Sequence, residues 1–96
     1  MGQAQWQPRA SNMPSYLVET YVPQSQGLDA RAAGQRAGKL AQELSAEGTP
    51  VRHVRTTFVP QDETCFHFFE AESEEVVGEV CRRAGIGSPR IVCAVE

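Results

Sequence analysis

The sequence predicts a single α+β domain. Three observations carry this: stretches in which apolar and polar side chains alternate, stretches whose apolar residues recur at helical spacing, and the turn and cap residues between them, which set the order β-α-β-β-α-β. A chain of 96 residues has room for one modest core.

Residues 1–14, MGQAQWQPRASNMP, are rich in Gln, Pro, Ser and Asn and have no period, so they are expected to form a flexible tail, Trp6 included, ahead of a domain at 15–96. Residues 15–23, SYLVETYVP, read as a strand that Pro23 stops. Asp29 is placed to cap a helix running to about Glu47, with the stripe Ala33, Ala37, Leu40, Ala41 and Leu44. Gly34 and Gly38 weaken that helix by roughly 1 kcal/mol each relative to alanine, but let it lie close to a sheet. Residues 51–60 and 64–71 alternate around the turn at 61–63 and form a hairpin. Ser73 caps a second helix, with Glu74 and Glu75 in its first turn and Val77, Val80, Cys81 and Ala84 on its buried stripe; Gly85 ends it. Residues 90–96, RIVCAVE, make the last strand.

This order is the ferredoxin-like arrangement, in which both helices cover one face of a four-stranded antiparallel sheet of strand order 4-1-3-2. The other face is left open, which invites a second copy or a ligand. Alternation sorts the strands. Val18, Val54, Phe58, Phe66, Phe68 and Val92 are expected under the helices. Leu17, Glu19, Tyr21, His53, Arg55, Thr57, Cys65, His67, Phe69, Ile91, Cys93 and Val95 are expected on the open face. Cys65 and Cys93 fall two strands apart, about 9.6 Å, too far for a disulfide, which spans up to roughly 7 Å between Cα atoms.

Composition narrows the function. A formal net charge of −3 gives no electrostatic reason to expect nucleic acid or an anionic membrane. No apolar run has the length of a membrane span, and the N-terminus lacks a signal-peptide pattern, so a cytoplasmic protein is expected. Three widely spaced cysteines fit free thiols in a reducing compartment. Cys65 and His67, at i and i+2 on one strand, share a face, and thiolate and imidazole suit late first-row divalent metals. His53 and Glu19 are the further candidate ligands; a carboxylate on a central strand needs a cation, and Arg55 is the expected partner if Glu19 does not coordinate. The plainer alternatives are that Cys65 is a small buried hydrophobe and that His67 is an interface histidine. Cys81 belongs to the core, Cys93 is a weaker candidate ligand, and Asp62 and Glu63 are turn residues.

The segments VRHVRTTFVP, CFHFFEA and AGIGSPRIV together resemble a family of small ferredoxin-like proteins, common in actinobacteria, whose described type is a nickel-binding protein. The resemblance covers about residues 15–95. Cys65 matches the family's cysteine, Arg55 and Thr56 match its Arg-Ser pair, and His67 stands where relatives often carry a second cysteine. Cys93 replaces a frequent Glu, and Gly87-Ser88 replaces a proline-containing turn. The resemblance implies a homodimer whose sheets face each other as an open α/β barrel, nickel held near that interface, and no established reaction. Residue types alone suit zinc or copper equally. Two readings of other classes stand beside it. One is a dimeric barrel enzyme of isomerase or small-monooxygenase type, with His53 or His67 as general base and Arg55 holding an anionic substrate. The other is a purely structural or regulatory dimer.

Overall fold

The computed structural model describes residues 13–95. Trp6 and most of the expected tail lie outside the described residues. Strand β1 (Ser15–Tyr21) leads through a short 3-10 turn into helix α1 (Gly27–Ala46), followed by β2 (Val51–Val59), a second 3-10 turn, β3 (Thr64–Ala71), helix α2 (Glu74–Ala84) and β4 (Arg90–Ala94). The four strands form one sheet in the order β2-β3-β1-β4, every pair antiparallel. This is the expected element order and the expected strand order.

The local signals near α2 act as their chemistry dictates. The Ser73 hydroxyl accepts from the Val76 N–H, and Gly85 closes the helix in the left-handed region at φ 77°. Val77, Val80, Cys81 and Ala84 are all buried against the sheet. Helix α1 starts earlier than its capping signal suggests. Asp29 lies inside the first turn and caps nothing, because the 3-10 turn Gln24–Gln26 runs straight into the helix. The orphan N–H of Gln24 is satisfied from a distance, by the Glu63 carboxylate at 2.8 Å. The Arg36 guanidinium ties the two helices together by donating to the Ala84 carbonyl at 2.8 Å.

Two strands face the opposite way from the expectation. In β3 the buried set is Cys65, His67, Phe69 and Ala71, while Phe66 and Phe68 lie half-buried on the open face. Cys65 and His67 therefore sit beneath the helices and not on the open face. In β4 Ile91 pairs with the buried Val18 and Val92 pairs with Leu17, so Ile91 turns toward α2 and Val92 away from it. In β1 the assignment stands: Val18 is buried, and Leu17, Glu19 and Tyr21 point the other way. Strand β2 carries a bulge between His53 and Arg55. The extra residue, Val54, breaks strict alternation, and brings both His53 and Thr56 under α1 while Arg55 stays outside.

The physical reason for the β3 inversion lies in α1. A Cβ added to Gly34 would meet the Thr56 hydroxyl oxygen at 2.5 Å and its Cβ at 2.9 Å. The helix thus lies almost on the strand, held there by glycine and by the buried Ala30, Ala37 and Ala41. Beneath so close a helix lie Thr56, Cys65 and the imidazoles of His53 and His67. The phenylalanines on this side lie away from that contact: Phe58 at the start of the helix beside Gly27, and Phe69 in the core cluster with Tyr16, Val18 and Val51.

His67 is only 1% exposed. Burial, with the neighbouring His53 ring adding to it, pushes its imidazole down to about 4 from an ordinary 6.5. A depressed histidine is neutral in the fold, while the unfolded chain takes up the proton below its ordinary value; stability is therefore full above pH 6.5 and falls as the solution is acidified toward 4.

Two measurements test this packing. Gly34→Ala is expected to cost about 1–3 kcal/mol by overpacking, read as a lower midpoint in thermal or urea unfolding. Gly38→Ala, whose new Cβ would meet nothing nearer than the His53 ring at 3.4 Å, should be neutral or stabilising by up to about 1 kcal/mol. Urea unfolding of metal-free protein should lose about 2 kcal/mol between pH 7 and pH 5 from His67 alone. His67→Gln should flatten that slope, and an unchanged slope would show that the imidazole is not buried in the neutral form.

Candidate metal centre

A line of four polar side chains runs beneath α1. His53 Nε2 lies 2.9 Å from the Thr56 hydroxyl, that hydroxyl lies 2.8 Å from His67 Nδ1, and His67 Nε2 lies 3.6 Å from Cys65 Sγ. The β2 bulge supplies the first two members, and the i, i+2 spacing on β3 supplies the last two. Gly34 leaves the space that the Thr56 hydroxyl fills. Both ring nitrogens of the buried His67 thus have partners, which a core imidazole requires.

The electrostatics keep every member uncharged. Burial lowers both imidazoles and raises the Cys65 thiol. Among the described residues no carboxylate or cation joins the line. Neutral imidazole is the form that ligates a metal, and a thiol ligates once it gives up its proton. The Cys65–His67 separation suits a shared ion. Bonds of about 2.3 Å to sulfur and 2.05 Å to nitrogen, opened at a tetrahedral angle, span about 3.5 Å. The Thr56 contact fixes the His67 ring from its far side, as partners of metal-bound histidines do.

Clefts reach this line at both of its ends. Cys65 and His67 border one of about 260 Å³, which Thr20 and Asp29 also line. His53 and Thr56 border the other, of about 720 Å³, between α1 and β2. Of the residues singled out from the sequence, Cys65, His67 and His53 come together here. Glu19 does not: it lies on the open face and pairs with Arg90 at 3.2 Å. Arg55, its expected partner, instead stacks its guanidinium over the Phe68 ring, 4.0 Å from the centroid. Thr56 was legible only as part of the family's Arg-Ser match, and Asp29 only as a helix cap; no local pattern marks either as facing a site. Among the described residues no three His, Cys, Asp or Glu side chains converge into a ready-made metal cage.

Among the described residues no helix is long and apolar enough to cross a membrane. Comparison with known proteins found no match among curated proteins and none among solved structures. A family model, described as nickel responsive protein SCO4226-like, matches residues 16–93, from the second residue of β1 into β4. A match over that much of the chain shows that this chain belongs to the SCO4226-like nickel responsive protein family.

Proposed function

We propose that the chain is a nickel-binding protein whose ion is held between Cys65 Sγ and His67 Nε2, beneath α1. The observation that carries this reading is the 3.6 Å separation of those two atoms, with the other His67 nitrogen held by Thr56. His53 acts one link back: it orients the Thr56 hydroxyl and does not touch the ion. Two protein donors leave coordination positions open, and the smaller cleft offers room for water, with Asp29 on its wall. Nickel is chosen over zinc or copper on the family's description, since the donor types alone suit all three. Glu19 takes no part, because its strand face points away from the pair.

The homodimer is proposed on the open face. Leu17, Phe66, Phe68 and Val92 form a half-buried apolar strip there, and Tyr21 at its end is 69% exposed. The pairs Glu19–Arg90 and Arg52–Glu70 flank it. A second copy laid on that strip would give the two-sheet barrel, with the metal pair outside the interface and under the helices. Cys65, Cys81 and Cys93 are all free, which supports a cytoplasmic setting.

Protein purified without a histidine tag should take up Ni²⁺ in equilibrium dialysis and show thiolate-to-nickel charge-transfer absorption. Cys65→Ala and His67→Gln should each abolish the absorption and weaken uptake by more than tenfold. Thr56→Val, which removes the second contact to His67, should weaken it by about 10- to 100-fold, and Glu19→Gln should leave it unchanged. Wild-type affinity in both the Cys65 and His67 variants would place the metal elsewhere. Sedimentation at micromolar concentration should give a dimer that Phe68→Glu dissociates; a wild-type monomer would remove the open face as an interface.

A further inference from the structure

The larger cleft has a character that metal binding does not explain. It runs along α1 over the edge strand β2 and holds about 720 Å³, within the range of small-molecule sites. Among the described residues its walls carry two cations, Arg31 and Lys39, and no acidic side chain, although the chain as a whole is acidic at −3. Neither cation belongs to an ion pair among the described residues. Arg31, Gln35 and Lys39 follow one another at four-residue intervals, so they line one face of the helix. The two cations stand about 12 Å apart along its axis, with the amide between them. One end is apolar: Leu28, 80% exposed, and the Phe58 ring. The floor is low because Gly27, Gly34 and Gly38 bring no side chain into it.

From this we infer that the α1–β2 cleft binds a small organic carboxylate with an aromatic or other apolar body. The carboxylate lies between Arg31 and Lys39, where a guanidinium gives a two-pronged, charge-assisted contact. Gln35 donates a further hydrogen bond, and the apolar body lies against Phe58 and Leu28. The site is distinct from the Cys65–His67 pair, which faces the other cleft, and it stands or falls without any metal. Two cations on a net acidic chain are too few for a nucleic-acid track.

The test uses metal-free, untagged full-length protein and 2-naphthoate, followed by its own fluorescence, with 2-naphthalenemethanol as the uncharged counterpart. The expected result is saturable binding of one naphthoate per chain, competed by benzoate, and much weaker binding of the alcohol. The double substitution Arg31→Gln, Lys39→Gln should weaken naphthoate about tenfold or more and flatten its salt dependence. Both residues lie on the helix surface, so the thermal midpoint and nickel uptake of that variant should match the wild type. Absence of saturable binding, equal binding of the alcohol, or an unweakened double variant would each overturn the inference, whatever the nickel result.

Discussion

The approach of α1 to β2 at Gly34 and Thr56 governs the rest of the structure. With glycine at this point, the helix lies close enough that a single added carbon would collide with the threonine hydroxyl. That closeness decides what can be buried below. Cys65 and His67 fit, and the bulky Phe66 and Phe68 are left to the other side of the sheet. It also buries Cys65 and His67 and half-buries His53, and burial favours neutral imidazoles and a protonated thiol. The packing constraint and the chemistry of the candidate metal centre are thus one fact seen at two scales.

The two faces of the sheet divide the electrostatic labour. Under the helices the polar groups are uncharged and bonded to one another. On the open face the charges are paired across strands or stacked on an aromatic ring, as Arg55 is on Phe68. Surface pairs such as Glu19–Arg90 contribute little stability, about 0–1 kcal/mol. Their value on that face is to keep charge out of the apolar strip while bounding it with polar groups.

Much of this was legible in the sequence where the determinants are local. Ser73, Gly85 and the α2 stripe act within a few residues of themselves, and they place that helix without help from the rest of the fold. The strand order followed from the element order. The facing of β3 did not, because alternation around Phe66, Phe68 and Phe69 supports either choice, and the choice is made by the height of a helix some thirty residues earlier in the chain. The facing of β4 is set by its register with β1, which puts Ile91 beside Val18 and Val92 beside Leu17. His53 was misplaced because a bulge leaves no sequence signature here. The candidate ligands Cys65, His67 and His53 were nonetheless found together, since strand neighbours that share a face do so on whichever side they are turned. Glu19 was lost from the group when that side changed.

The four-member line has a further property. A neutral imidazole offers one N–H and one lone pair, and a hydroxyl gives one hydrogen while accepting another. Only two arrangements therefore complete every link: all hydrogens directed from His53 toward Cys65, or all directed back. Each end of the line inherits the orientation chosen at the other. An acceptor on the outer nitrogen of His53 selects the arrangement in which the far nitrogen of His67 carries no hydrogen and accepts from the Cys65 thiol. The clefts at the two ends of the line are joined in this way by nothing more than the sense in which three hydrogens point.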